Sequence, residues 1–404
     1  MLDQVIRTFL SSLNLPAGTP LAVGVSGGVD SLTLAVCLSH ACAGTYPLTA
    51  FIVDHGLRSV SAQEARQTKE HLAEWGIPAD ILVWRGKKPT TRVEEMAREK
   101  RYELLQKACE HQGIHYLFLA HHAGDQAETF LSRLSHASAL EGLKGMQEIS
   151  RRPSVFLCRP FLKVPKADIV RTAKTFRLTW AEDEMNQDER YERVRWRRLL
   201  PRLASYGLTV HNITTSMARL SLAEEALRFY KDAFVRQNVI LHPLGYLVVP
   251  EKAYRGLPLA VQIKFLQWAI ERIGQQPQTF SFTALEQKAR TLKGPLGGCR
   301  FCVKQGKVYV AKEASKMPGP LELPPKKWVV WDRFKVWSAP GGTIQAGMPK
   351  VGAFKDLPAM VLETLPVVKN KKGLEIPVTF HYNKEEKNAC ICFNLLQEGQ
   401  NDEF

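Results

Sequence analysis

The hexapeptide Ser26-Gly27-Gly28-Val29-Asp30-Ser31 constrains the fold more than any other part of this sequence. It follows the apolar run 21–25, which reads as a buried strand, and it opens a helical pattern that extends to about residue 40. Glycines between a strand and a helix let the backbone approach a ligand closely. The unpaired N–H groups at the helix start then attract an anion. Ser26 and Ser31 add hydroxyl donors, and the carboxylate of Asp30 suits a magnesium ion held on phosphates. No Gly-Lys-Ser/Thr is present here, so this is not the loop that grips β- and γ-phosphates for γ-transfer. The plain alternative is a tight strand-to-helix turn with an N-cap.

The surrounding pattern agrees with a nucleotide-type fold. Apolar runs at 48–53, 81–84 and 116–120 alternate with helical patterns at 61–75, 92–109 and 125–134. Runs this short, separated by helices, predict right-handed βαβ units and a parallel sheet covered on both faces. Residues 1–210 are therefore expected to form a doubly wound α/β domain. The pattern then changes. Residues 211–237 read as one long helix with Leu220, Leu222, Ala223, Ala226, Leu227 and Tyr230 on its apolar stripe. Further helices are expected at 257–273 and 282–292, with a hairpin-like segment at 296–311, so 211–316 reads as a mostly helical substrate-binding region. Four prolines between 317 and 325 mark a stiff linker. Residues 326–404 read as a small β-rich C-terminal domain.

Charge narrows the partners. The 404 residues hold 55 Lys+Arg against 40 Asp+Glu, a net charge of +15. That excess predicts nucleic acid or an acidic membrane surface as partner. No apolar run approaches the ~18 residues of a membrane span, and the start carries an early acid without a basic leader. Eight cysteines, mostly single in apolar runs, read as reduced thiols of a cytoplasmic protein. Between 151 and 177 eight basic residues face one acid, Asp168. Arg190, Arg193, Arg195, Arg197 and Arg198 then crowd one helix with Tyr191 and Trp196. Such a helix suits phosphate contacts and base stacking, and a solvated basic face is its plain alternative.

Further motifs follow in order. They are Val53-Asp54-His55-Gly56-Leu57-Arg58, the stretch Glu94 to Tyr102, the stretch Ala120 to Leu131, Arg159-Pro160-Phe161-Leu162 and Glu182-Asp183-Glu184-Met185-Asn186. Ligands bind at the carboxyl ends of strands in an open α/β sheet, where the loop, Asp54–Arg58 and His121–Asp125 all lie. Asp125, Glu128 and Thr129 share a helical face, and two carboxylates beside phosphates suit magnesium binding or proton removal. Asp125 alone reads equally as an acid favoured by a helix start. His55, His121 and His122 suggest packing or nucleotide contact more than zinc.

Together these motifs resemble the pyrophosphatase-loop (PP-loop) ATPases, with an adenine nucleotide alpha hydrolase-like fold. Within them they look like the tRNA(Ile)-lysidine synthases, over about residues 18–205 and more weakly through Trp331-Asp332-Arg333-Phe334. The resemblance implies a ligase that uses ATP and Mg2+ to join free lysine to tRNA(Ile), through an adenylated wobble cytidine. It implies nucleotide contacts from Ser26, Gly27, Gly28, Val29, Asp30, Ser31, Val53, His55, Arg58 and His122. Asp30 and Asp125 would hold metal, while Asp30, Asp125, Glu128 and Arg98 would be catalytic. Arg190, Arg193, Arg195, Arg197 and Arg198 would bind tRNA, and a monomer and a homodimer are both compatible. The chain departs from the family pattern at Gly124, where an acid is usual, at Glu184-Met185, and at Val194. A tRNA thiolase on the same fold and a non-catalytic RNA-binding protein are the rival readings.

Overall fold

A computed structural model describes residues 2–376 and 391–393, apart from 59, 87, 90, 92, 181–191, 243, 275–279, 333, 339–340, 349–355, 371 and 374. Two compact units result, Met1–Leu222 and Ala223–Phe404.

The first unit begins with α1 (Leu2–Leu13) and then alternates: β1 (Leu21–Val25), α2 (Val29–Cys42), β2 (Leu48–Asp54), α3 (Ser61–Glu74), β3 (Ala79–Val83), α4 (Val93–His111), β4 (Tyr116–Phe118), α5 (Ala123–Ser135). A short α6 (Leu140–Leu143), the pair β5 (Ile149–Arg151) and β6 (Phe156–Cys158), α7 (Lys166–Thr175) and α8 (Glu192–Ala204) complete it. The long α9 (Val210–Asn238) contains the unit boundary. The six strands lie in the order β3-β2-β1-β4-β6-β5. All pairs are parallel except β5 with β6. The expected doubly wound sheet is thus present.

Alternation along the strands explains its two covered faces. Leu21, Val23 and Val25 of β1 join a core with α1, α2, α3 and α7, whereas Ala22 joins the opposite core with Tyr102, Leu105 and Cys109 of α4. The chain runs from β1 to β2 to β3 in one direction and returns to place β4 on the other side of β1. The strand order therefore reverses between β1 and β4, the place where open α/β sheets leave a crevice. A separate cluster of Ala127, Leu131, Leu200, Ile213 and Met217 packs α5, α8 and the first part of α9 together.

The second unit continues with β7 (Ile240–His242), β8 (Tyr246–Pro250), α10 (Glu251–Arg255), α11 (Leu259–Gly274), α12 (Phe282–Thr291), β9 (Gly294–Leu296), β10 (Cys299–Lys304) and β11 (Lys307–Lys312). Its helices accompany a five-stranded antiparallel sheet, β7-β8-β11-β10-β9. Gly297 and Gly298, both at positive φ (64° and 72°), form the two-residue turn joining β9 to β10. Then follow β12 (Leu321–Leu323), β13 (Trp328–Trp331), β14 (Phe334–Trp337), β15 (Gly342–Gly347), α13 (Ala359–Leu362), β16 (Leu365–Lys369), β17 (Glu375–Ile376) and β18 (Ile391–Phe393), in sheets β12-β15-β16-β17 and β13-β14-β18. Trp331 and Phe334 oppose each other across a hairpin and are buried in its core, while Asp332 at the turn pairs with Lys312. The motif around Trp331 is therefore a packing device. No described helix is long and apolar enough to cross a membrane.

Candidate active site

The loop after β1 is braced by its own side chains. Ser26 N donates to Ser31 Oγ at 3.1 Å, and Ser31 Oγ donates to the Gly28 carbonyl at 3.0 Å. Ser26 Oγ lies 3.2 Å from Ser31 Oγ. Buried Ser31 thus closes the loop on itself, and Ser26 is the more available hydroxyl. Gly27 has φ +84°, and a Cβ there would lie 2.6 Å from Thr68 Oγ1 on α3. Gly27→Ala is expected to cost about 1–3 kcal/mol from the combined strain and overlap. Chemical denaturation checks it, and an unchanged midpoint would show that the loop relaxes freely. At Gly28 a Cβ would meet only Ser26 Oγ, at 3.7 Å. No side chain caps α2, so its first N–H groups remain available to an anion.

Three helix starts converge beside this loop. Asp30 is the second residue of α2, His122 caps α5, and Lys166 is the first residue of α7. The Ala123 amide at the start of α5 donates to the Val164 carbonyl just before α7, at 3.1 Å. Lys166 Nζ donates to both oxygens of Asp30, at 2.5 and 2.6 Å. His122 Nδ1 accepts the Gly124 N–H at 3.0 Å, and Asp125 Oδ2 accepts the His122 N–H at 2.9 Å, a reciprocal cap. With Nδ1 engaged by the Gly124 amide, Nε2 is the ring nitrogen that faces the carboxylates. That nitrogen lies 3.8 Å from Asp30 Oδ2 and 3.7 Å from Asp125 Oδ2. Asp30 and Asp125 are the hard-oxygen donors available here to a magnesium ion, and in this structure Lys166 engages both oxygens of Asp30. Burial pushes the Asp125 carboxyl up, but His122, His121, the His122 amide and Arg197 outweigh it and hold it below the usual range.

At Gly124 the imidazole of His122 crowds the position of a side chain. A Cβ at that position would lie 2.8 Å from His122 Cε1. The folded-back imidazole occupies the space where a side chain would begin.

A cationic cluster gathers from α4, the β5–β6 turn and the residue after β6. The guanidinium carbons of Arg98, Arg101 and Arg152 stand 5.2, 5.8 and 4.5 Å from the centre of the Tyr102 ring. Arg159 is buried, donating to the Gln147 carbonyl and Ser150 Oγ at 2.8 and 2.9 Å. Burial raises the Tyr102 phenol, yet Arg98, Arg101 and Arg159 bring it below its ordinary value. Burial, then Arg193, Arg101 and Arg159, press Arg98 down against the opposing pull of Tyr102, though a guanidinium stays protonated. Arg101 Nε, Arg159 Nε and His121 Nδ1 are buried without a hydrogen-bond partner. Three unmet polar atoms in a cationic cluster suit a ligand rich in oxygen acceptors.

His121 responds to the same surroundings. Burial drives its pKa from 6.5 to about 3; Asp125 opposes the change, and Arg159, Arg101 and Arg98 reinforce it. The unfolded chain therefore binds an extra proton between these values. The stability from this group is complete above about pH 6.5 and declines as the pH falls toward 3. His121→Asn should flatten the acid-side slope by up to about 1.4 kcal/mol per pH unit. Parallel stability curves for the two proteins would contradict this.

The basic helix divides by face. Arg197 donates from Nε to Glu128 Oε1 at 2.7 Å and from Nη2 to Oε2 at 3.2 Å, joining α8 to α5. Glu128 is 3% exposed and Arg197 45%. Arg193 acts electrostatically on Arg98, and Arg197 on Asp125 and Asp30. Arg195 instead lines a cavity of about 460 Å³ with Ser135, His136, Glu192, Trp196 and Leu199. Val194 is buried, so an apolar residue fits there. Arg190, Tyr191 and the stretch 182–186 lie outside the described residues. After β2, Asp54 Oδ1 accepts from the Gly56 amide and Ser61 Oγ at 2.9 and 2.6 Å, shaping the segment that carries His55 and Arg58. Arg58 also pairs with Glu64 at 2.8 Å. Arg101, Tyr102, Arg159 and His121 lie in stretches singled out from the sequence without a defined role, and Lys166 was only one of the basic residues between 151 and 177. Cys109 and Cys158 are buried in this unit, and burial pushes both thiols up to about 12.

Comparison with known proteins adds independent findings. The PP-loop domain family matches residues 1–203. A tRNA(Ile)-lysidine synthase of Bradyrhizobium diazoefficiens is 36% identical over 271 residues, covering 65% of this chain and 75% of its own. One from Wolbachia sp. subsp. Brugia malayi is 30% identical over 407 residues, covering 94% of each chain. Among solved structures, the U34-tRNA thiolase NcsA from Methanococcus maripaludis has a TM-score of 0.47 at 18% identity, covering 54% of this chain and 76% of that one.

Proposed function

Because the chain belongs to the tRNA(Ile)-lysidine synthases, ligases with a PP-loop ATPase domain, we propose that it joins free lysine to carbon 2 of the wobble cytidine of tRNA(Ile) with a CAU anticodon. The observation that carries this reading is the convergence of Asp30, His122, Asp125 and Lys166 on three helix starts at the reversal of strand order. The cytidine ring carbonyl oxygen attacks the α-phosphate of ATP, and the bond to the β-phosphate breaks. Pyrophosphate departs on the Ser26–Ser31 loop, where helix N–H groups favour anions. The ε-amino group of lysine then attacks the activated carbon. The carbon–oxygen bond breaks, AMP leaves, and lysidine remains, which changes decoding from AUG to AUA.

Asp30 and Asp125 would hold the magnesium ion, which supplies positive charge to the phosphates. Free lysine has a pKa of about 10.4, so its ammonium must lose a proton before attack. Glu128 and Asp125 are the candidate carboxylates to accept it, Glu128 only once Arg197 yields an oxygen. The cluster of Arg98, Arg101 and Arg159 suits the adenylate or the anticodon, and Arg193 extends it toward the basic helix. Val53, His55 and Arg58 would line the nucleotide side of the crevice, and a tRNA substrate is compatible with a cytoplasmic protein. The buried, weakly acidic thiols of Cys109 and Cys158 favour this reading over a thiolase, which needs a reactive cysteine. Incubation with ATP, radiolabelled lysine and unmodified tRNA(Ile) tests it. Label should enter the RNA, with one pyrophosphate and one AMP released per lysine. Failure of label to enter excludes the ligase.

A further inference from the structure

We propose that Lys166 contacts the departing pyrophosphate in the adenylation step, positioned for that contact by Asp30. The inference rests on the PP-loop ligase reading and names a further catalytic residue for it. Pyrophosphate carries several negative charges, and the Ser26–Ser31 loop offers neutral donors but no lysine or arginine of its own. The other nearby cations have different surroundings. Arg98, Arg101 and Arg152 gather on Tyr102, and Arg197 is held in two hydrogen bonds by Glu128.

Lys166 comes from a segment distant in sequence and meets the second residue of the helix that follows the loop. An ammonium has three donors. Two of them reach Asp30, which leaves one for a phosphate oxygen. The side chain is 44% exposed and Asp30 28%, so a ligand can reach the pair from solvent. The flexible four-carbon stem lets the charge follow the phosphate as it leaves while the carboxylate limits its range. The start of α7 adds its own N–H groups on the same side.

Calorimetric binding of inorganic pyrophosphate and of AMP to the full chain, at one fixed magnesium concentration, separates the possibilities. Lys166→Met should weaken pyrophosphate about 10- to 100-fold, the range for a hydrogen bond to a charged group. AMP, which lacks the β- and γ-phosphates, should bind unchanged. Lys166→Arg should recover most of the loss. Unchanged pyrophosphate affinity in Lys166→Met overturns the assignment to Lys166, and so does an equal loss for both ligands. If the unaltered protein binds neither ligand, the ligase reading itself fails along with it.

Discussion

Asp30→Ala is expected to lower incorporation of lysine into tRNA(Ile) by about 10²- to 10³-fold, the scale of removing one preorganised charge-stabilising group. Stability should change little. The Asp30–Lys166 pair is partly exposed on both sides, and such pairs contribute at most about 1 kcal/mol. An acid in the first turn of α2 adds about 0.3–1 kcal/mol through the helix dipole. A large activity loss with a nearly unchanged unfolding midpoint therefore separates chemistry from folding. Asp30→Asn keeps the shape and removes the charge, so it should lose almost as much. Incorporation within a few-fold of the unaltered protein, measured by radiolabel, would contradict the placing of phosphate chemistry at this loop.

Glu128→Gln should divide the reaction in two. Pyrophosphate release continues, while transfer of lysine falls by about 10²- to 10⁴-fold, the range for loss of a positioned proton acceptor. Adenylated tRNA should then accumulate and be visible by mass spectrometry of the digested RNA. Parallel loss of both steps would move Glu128 out of the lysine half of the reaction. The same ion pair predicts an asymmetry in stability. Arg197→Ala leaves Glu128, 3% exposed, without its guanidinium, at a cost of about 3–5 kcal/mol. Glu128→Gln leaves Arg197, 45% exposed, in contact with water and keeps an amide to accept a hydrogen bond. It should cost clearly less. Denaturation midpoints in the opposite order would show that the pair does not hold α8 against α5.

The nucleotide half of the fold was legible because its signals are local. Short apolar runs, spaced helices and a glycine-rich turn each report on their own neighbourhood, and the structure returns β1, β2, β4 and their helices close to the expected positions. The region from 149 to 177 was not legible as structure. Its prolines and eight-to-one excess of basic residues hid the β5–β6 hairpin and α7. Lys166 gained its meaning only through a contact with Asp30 that no sequence period encodes. Composition also made the arginines of α8 look equivalent. The structure separates them by angular position: Arg193 and Arg197, one turn apart, act on Arg98 and Glu128, while Arg195 joins Trp196 and His136. Ser31 read as a donor for an anion because a hydroxyl does not disclose its acceptor, and it bonds the loop carbonyl instead.

The imidazole folded over Gly124 bears on how this sequence can drift. Installing an acid at 124 places its first carbon 2.8 Å from the ring, so the ring must rotate and release the amide it caps. The converse also applies: once residue 122 no longer caps in this way, the glycine loses its steric justification. Positions 122 and 124 thus form an epistatic pair in this chain: the cost of an acid at 124 should fall once residue 122 no longer caps the helix.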